Sequence, residues 1–284
     1  MKSMKKKMLA LGMILFLFLG FSDKKAGSSL YEIRAYGIKV NVTDMKKALE
    51  FYHDKLGFGV ESGNPSADIV FLKESEGKER VVLNLVNNLL PERIQDNTAT
   101  FTLQVNDLDS TITALKNKGL DFGNYQRRKE GVGYAIFIDD PFRTRVSLMH
   151  QTIVKTPWFK EPLIYNFGFL IPDMNKAREF YCDKLGFVAR SEKYLPLDLP
   201  LGHADKSFAF MLHYREGVEA VHYNSANDEH AVVLFRTNDL AAAIKDLKAK
   251  GVKFVQAGIQ KTGLGNYISF YDPFGYVNEL VGVK

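Results

Sequence analysis

The sequence predicts an α+β fold of four β-α-β-β-β modules, arranged as two tandem domains with curled mixed sheets. Two repeated phrases predict it. FYHDKLGF at residues 51–58 returns as FYCDKLGF at residues 180–187, an offset of 129. NDLDSTITALKNKGLDF, which begins at Asn106, returns as NDLAAAIKDLKAKGVKF from Asn238, an offset of 132. Because both phrases return at nearly the same spacing, a whole domain is duplicated and not one motif alone.

The first module shows the order of elements that the others follow. Apolar residues alternate at positions 38, 40 and 42 and predict a strand. Thr43 or Asp44 then caps a helix through a side-chain oxygen, and Gly57 ends that helix. Three more strands are predicted over residues 57–62, 67–73 and 80–86. An apolar stripe at helical spacing marks the helix itself: Met45, Ala48, Leu49, Tyr52 and Leu56. In the third module Asp173 is the cap and Gly186 ends the helix.

The second and fourth modules share a different helix and a closing strand. Gly119 ends the helix of the second module, and Gly251 ends that of the fourth. The modules close on matching phrases, DDPFRTRVSLM from Asp139 and YDPFGYVNELV from Tyr271, which again lie 132 residues apart. The two domains are therefore predicted over residues 30–150 and 160–284. The break between them lies in HQTIVKTPWFKEP, which carries two prolines and no clear periodicity.

The positive charge of the chain is concentrated at its N-terminus. The formal net charge is +5, and four lysines fall within the first seven residues. An apolar run follows, and then a polar break, so residues 1–22 are predicted to be a cleaved signal peptide. An uncleaved N-terminal anchor is the alternative. We expect the mature protein to be exported, to the periplasm or the extracellular space, and to leave the membrane after cleavage. The basic and acidic residues outside residues 1–22 nearly balance, so the sequence does not predict a nucleic-acid-binding groove.

Three features in order are similar to a known family: a strand ending in V-x-D, the phrase FYxxxLGF, and a closing strand of the form DPxGxxxEL. Together they resemble the vicinal oxygen chelate superfamily, which includes glyoxalases, bleomycin-resistance proteins and extradiol dioxygenases. The resemblance covers roughly residues 30–284. It implies glyoxalase-like domains in which the two consecutive modules of each half curl around a shared concavity. Metal-dependent members hold an open-sited divalent ion there, with ligands on the first and last strands of the modules.

The resemblance places the expected ligand positions residue by residue. In the N-terminal domain they fall on Gly37, Thr100 and Ser147, which cannot assemble a metal site, so this domain is expected to be metal-free. In the C-terminal domain they fall on Asn166, Val232 and Glu279, of which only Glu279 matches the family pattern.

Two histidines offer another ligand set in the C-terminal domain. His230 precedes Val232 by two residues, so both face the same side of a strand. His213 lies on the last predicted strand of the third module. His213, His230 and Glu279 would form a two-histidine, one-carboxylate set for one divalent metal such as Fe, Mn, Zn or Ni. The alternative is a degenerate site that binds no metal.

Two functions therefore stay open. One is a binding protein of the bleomycin-resistance kind, which holds a small molecule in the C-terminal cleft beside Asn166, Val232 and Tyr267. The other is a metal-dependent lyase or extradiol-type dioxygenase that acts on vicinal oxygens, with Glu279 as the catalytic residue. Either would act on a small-molecule partner, as a monomer or a homodimer.

Overall fold

The computed structural model describes residues 31–73, 80–89, 99–153, 158, 160, 162–219 and 223–283. The expected signal peptide, residues 1–22, lies outside the described residues. Within them, no helix has the length and apolar character that crossing a bilayer requires.

Each module consists of four strands and one helical segment, as the repeated phrases predict. The first module has strands β1 (Ile33–Val42), β2 (Gly59–Ser62), β3 (Ile69–Lys73) and β4 (Arg80–Leu85). The second has β5 (Thr100–Gln104), β6 (Arg128–Glu130), β7 (Gly133–Asp139) and β8 (Arg145–Gln151). The third has β9 (Leu163–Ile171), β10 (Val188–Ala189), β11 (Asp198–Gly202) and β12 (Phe208–Tyr214). The fourth has β13 (Ala231–Thr237), β14 (Gln260–Thr262), β15 (Gly265–Tyr271) and β16 (Val277–Gly282). The helices are α1 (Met45–Leu49), α2 (Leu108–Asn117), α3 (Met174–Arg178) and α4 (Leu240–Ala249).

The repeated phrase FYxDKLGF forms a π-helical segment, where an α-helix was predicted. Helix α1 continues as a π-helical turn over Glu50–Lys55, and α3 continues in the same way over Glu179–Lys184. The Leu56 N–H donates to the Phe51 carbonyl, five residues back, at 2.9 Å. Since this turn is wider than an α-helical turn, the adjacent Phe51 and Tyr52 both face the core.

The aromatic pair of each phrase joins consecutive modules through a hydrogen-bonded core. The Tyr52 hydroxyl donates to Asp140 at 2.9 Å, and the Tyr181 hydroxyl donates to Asp272 at 2.9 Å. Each aspartate belongs to the DPF phrase of the following module. In each half of the chain, the tyrosine of the FYxDKLGF phrase and the aspartate of the DPF phrase therefore meet in the core.

Each sheet combines modules from both halves of the chain. One eight-stranded sheet has the order β14-β15-β16-β13-β1-β4-β3-β2, and the other has the order β10-β11-β12-β9-β5-β8-β7-β6. Strand β1 pairs antiparallel with β13, and β5 pairs antiparallel with β9. The predicted fold of four modules and two curled mixed sheets is confirmed. The prediction that consecutive modules share a concavity is wrong, because each sheet is formed by one module from the first half and one module from the second half.

Candidate functional site

Cleft A is the concave face of the sheet formed by the first and fourth modules. In its middle, Gly37 lies opposite Leu234 in the strand register, and Leu234 lies beside Glu279. Gly37, the position of a first-strand ligand in the family pattern, and Glu279 of the closing strand therefore lie in one register row, on either side of Leu234. The Lys39 ammonium, two residues along β1 from Gly37, lies 2.5 Å from a Glu279 carboxylate oxygen. The two side chains are only 4% and 2% exposed, so this ion pair is buried at the centre of cleft A.

The other residues predicted for the C-terminal site are divided between the two clefts. Val232 lies opposite Lys39 in the strand register, in cleft A. Tyr267 lies on β15, where partial burial, together with the charge of Glu279, raises the pKa of its phenol. His230 is buried just before β13. Asn166 and His213, in contrast, lie on β9 and β12 of the other sheet.

Cleft B is the concave face formed by the second and third modules. Asn166, Thr102 and Ser147 occupy adjacent strands in one register row, which continues to Phe137 on β7. Three of the expected ligand positions, Thr100, Ser147 and Asn166, thus meet in this cleft although they were assigned to different domains. They line a cavity of about 580 Å³, a volume typical of small-molecule sites. The cavity is lined by Thr100, Thr102, Tyr125, Arg128, Glu130, Phe137, Arg145, Ser147, Met149, Asn166, Leu170, Asp198, His213 and Arg215.

One wall of cleft B combines arginines with aromatic rings. The Arg128 guanidinium lies 3.8 Å from the centre of the Phe137 ring, and its Nε lies 2.5 Å from Glu130. Arg145 donates to the Tyr125 hydroxyl, which donates to Asp139 at 2.8 Å. These contacts hold the guanidinium groups in place against apolar surfaces.

The opposite wall carries a histidine held by a carboxylate. Asp198 on β11 lies directly opposite His213 on β12. The His213 Nδ1 lies 2.7 Å from an Asp198 carboxylate oxygen. The imidazole ring extends over Gly168 of β9, where an added Cβ would come within 3.3 Å of Nε2.

A comparison with protein-family models matches this architecture. The model of the Glyoxalase/Bleomycin resistance protein/Dioxygenase superfamily matches residues 35–148 and again residues 164–280. The chain belongs to this superfamily. Members of the superfamily bind small-molecule substrates and often use a divalent metal. A comparison with curated proteins finds no match.

Solved structures show the same fold at low sequence identity. Glyoxalase I from Zea mays superimposes with a TM-score of 0.62 at 20% identity, over 89% of this chain and 93% of that chain. The cppA protein from Streptococcus pneumoniae superimposes with a TM-score of 0.53 at 13% identity, over 89% of this chain and all (100%) of that chain. At these identities the likeness establishes the shared fold.

The residues of cleft A do not fit the metal ion that the superfamily often uses. The Lys39 ammonium already neutralises Glu279, and the two side chains are buried together. Across the part of the chain that the structure describes, no three His, Cys, Asp or Glu side chains are grouped as a metal site. The predicted set of His213, His230 and Glu279 is therefore wrong, because His213 belongs to a different sheet from the other two.

The residues of cleft B do not fit a metal ion either. The expected ligand positions hold hydroxyl and amide side chains, of Thr100, Ser147 and Asn166, which are weak ligands for the divalent metals that imidazole and carboxylate groups bind well. His213 and Asp198 are two such groups, but they bond to each other. Cleft B offers a polar cavity in place of a metal centre.

Sequence reasoning missed the charged residues of cleft B. Arg128, Arg145 and Asp198 were not identified as candidate site residues. One signal was present: Arg145 and Met149 alternate with Ser147 on the closing strand and therefore share its face. Asp198 gave no comparable signal, since its meeting with His213 depends on strand register.

Proposed function

We propose that the protein binds a small organic anion in cleft B without a metal ion. The observation that supports this most is the contrast between the clefts. An open cavity of about 580 Å³ occupies cleft B, whereas a buried ion pair lies at the equivalent position in cleft A. The proposal moves the ligand from the expected C-terminal half to a cleft that both halves form.

The lining of cleft B favours an anionic ligand with an aromatic or apolar part. Three arginines and two carboxylates are among the lining residues, and Arg145 also lies 3.4 Å from Asp139 just behind the lining. The arginines therefore offer N–H donors to an anion without a large net charge. Guanidinium groups bind carboxylates through paired, charge-assisted hydrogen bonds. Phe137, Tyr125, Met149 and Leu170 supply the apolar surface that such a ligand also needs.

The metal-dependent lyase or dioxygenase has less support than this proposal. Glu279, the residue predicted to be catalytic, is paired with Lys39 and buried away from the cavity. Export of the mature protein, predicted from residues 1–22, remains part of the proposal. One chain supplies both modules of each sheet, so a monomer is the expected binding unit, and a homodimer is the alternative that sedimentation would detect.

The binding test uses calorimetry with 2-oxo-4-phenylbutanoate, an aryl-substituted 2-oxo acid, as the probe. We expect saturable binding of the acid and at least about tenfold weaker binding of its uncharged methyl ester, since the ester loses its charge-assisted hydrogen bonds. Absence of binding, or equal binding of acid and ester, would overturn the proposal.

Two neighbouring arginines provide a matched pair of variants. Arg128 and Arg127 both lie over an aromatic ring, at 3.8 and 4.1 Å, and both pair with a carboxylate. Only Arg128 lines cleft B. We expect Arg128→Met to weaken binding about tenfold or more, and Arg127→Met to change it by less than about twofold. Equal losses in the two variants would place the ligand elsewhere.

A further inference from the structure

We propose that His213 acts as a base in cleft B and removes a carbon-bound proton from the ligand, with Asp198 as its positioning residue. The inference rests on the proposed function, since it needs a ligand in this cleft. It adds a chemical step that requires no metal ion.

The contact between His213 and Asp198 determines which ring nitrogen can accept a proton. Asp198 lies 2.7 Å from Nδ1. A carboxylate is an acceptor, so the neutral imidazole carries its hydrogen on Nδ1 and leaves the lone pair on Nε2. The same carboxylate stabilises the imidazolium that forms when Nε2 takes a proton.

The His213 ring lies directly on the floor of the cleft and lines its cavity. The ring lies over Gly168, and a Cβ at this position would lie 2.5 Å from the Met211 carbonyl oxygen, 3.2 Å from Cδ2 and 3.3 Å from Nε2. Only a glycine therefore lets the ring and the neighbouring strand lie this close to β9. Asn166 precedes Gly168 by two residues and lines the same cavity, so its amide lies on the same face of β9 as the ring.

The duplication supplies an internal comparison, because the first module holds the matching positions 129 residues earlier. There Ile69 lies opposite Asn84, as Asp198 lies opposite His213. The first module thus keeps the strand register without the histidine or the carboxylate. The fold does not require this pair, and cleft A has no counterpart to it.

The glycine beneath the ring is also specific to cleft B. Lys39 lies beside Val82 in the same register that places Gly168 beside Met211. In cleft A a lysine side chain therefore leaves the strand at the position where, in cleft B, a glycine lets the His213 ring approach the backbone. The histidine, its carboxylate and the glycine beneath the ring occur together in cleft B.

The reaction step balances without an oxidant or a second substrate. The ligand is a carboxylate with an acidic C–H bond next to a carbonyl group. The C–H bond breaks, its electron pair delocalises into the carbonyl as an enolate, and the proton moves to Nε2. The imidazolium exchanges this proton with solvent and returns one to the carbon. The net reaction is exchange of a carbon-bound hydrogen with water.

The test follows exchange of the C3 protons of 2-oxo-4-phenylbutanoate in D₂O by proton NMR, with the full chain. Positioned general bases contribute about 10²–10⁴-fold, so we expect exchange at least about 100-fold faster than in buffer alone. His213→Ala should lose the protein-dependent exchange, and added imidazole should restore part of it. Restoration by a small base is a result that a purely structural role of His213 would not produce.

Two further variants complete the test. Asp198→Asn should slow exchange by about 100-fold or more while it changes probe affinity by less than about threefold, because the amide no longer stabilises the imidazolium. Asn84→Ala, at the matching position in cleft A, should leave exchange unchanged. His213→Gln replaces His213→Ala if the alanine variant does not fold.

The outcomes separate this inference from the proposed function. Calorimetric binding of the probe with exchange at the buffer rate would overturn the role of His213 and leave the binding function standing. Exchange that survives in His213→Ala or His213→Gln would also overturn it. Absence of any binding would overturn the proposed function itself.

Discussion

The Lys39 ammonium and the Glu279 carboxylate lie 2.5 Å apart at the centre of cleft A, with 4% and 2% of their side chains exposed. Glu279 is the one residue that matches the family's metal-ligand pattern in the C-terminal half, and its charge is balanced here by a side chain of the first module. The positive charge that balances the Glu279 carboxylate is therefore supplied by Lys39 of the same chain.

Removal of one partner of this ion pair should destabilise the fold. Lys39→Met leaves a buried carboxylate without its counter-charge, so we expect a loss of about 3–5 kcal/mol in the free energy of unfolding. The double variant Lys39→Met/Glu279→Met should recover most of it, since a buried pair replaced by apolar side chains is often neutral. Denaturant unfolding measures both variants. Lys47→Met, at an exposed lysine, is the control and should change stability by about 0.5 kcal/mol or less; a similar value for Lys39→Met would contradict the prediction.

Divalent metals should not stabilise the wild-type protein. Ligands that bind the folded state alone stabilise it by RT ln(1 + [L]/Kd) and so raise its melting temperature. Because Lys39 neutralises Glu279, we expect Zn²⁺, Mn²⁺, Ni²⁺ or Fe²⁺ to shift the Tm by less than about 1 °C, and we expect elemental analysis to find less than one metal per chain. Stoichiometric metal that is lost in Glu279→Ala would refute this prediction.

The hydrogen bond between Tyr181 and Asp272 should contribute to the stability of the C-terminal half. Tyr181 is fully buried, and its hydroxyl donates to Asp272 at 2.9 Å. We expect Tyr181→Phe to cost about 1–3 kcal/mol, since it leaves a buried carboxyl group with one donor fewer. Tyr52→Phe, which removes the matching bond to Asp140, should cost a similar amount. Tyr194→Phe, at a tyrosine that is 51% exposed, is the matched control and should be nearly silent in thermal and urea unfolding.

The buried aspartates should make stability fall as pH rises through the mildly acidic range. Burial raises the pKa of Asp272 to about 7 and that of Asp140 to about 6, both from 3.8. Between about pH 4 and 7 the folded state therefore holds protons that the unfolded chain has released, so the free energy of unfolding decreases with rising pH. The contribution of Asp272 alone is roughly 4 kcal/mol over this range.

Urea unfolding between pH 4 and 8 checks this sign. Asp272→Asn removes the titrating group and should flatten the pH dependence. A wild-type stability that instead rises steadily from pH 4 to 7, with no change in slope in Asp272→Asn, would show that the carboxyl group is ionised throughout.

Local patterns were sufficient to predict the modules but not how the modules pair. Helix caps such as Asp44 and Asp173, and strands such as β1, follow from spacings within a dozen residues, and the structure confirms them. Which strand edges meet is decided by contacts across the whole chain. No local pattern shows that β1 pairs with β13 and not with a strand of the second module. Glu279 and His213 were therefore assigned to one site although they lie in different sheets.

Only those residues of the candidate site that stand at the family's ligand positions could be predicted from the sequence. Asn166 and Ser147 were identified as ligand positions by counting along their strands, and they do meet in cleft B. Lys39 was not identified, because the sequence of its strand does not show its counter-charge 240 residues away. The pairing of Asp198 with His213 depends on the register between β11 and β12, which the sequence does not display.

The exchange of modules between the halves has a consequence for how this chain can be divided. If residues 30–150 were made alone, β1 and β5 would each present a long unpaired edge in the middle of an unfinished sheet. Such a fragment would complete itself by adding a second copy, and the hollow so formed would be symmetric. In the intact polypeptide the two hollows can differ, because covalent linkage of unlike halves permits one to be closed by a lysine while the other stays open.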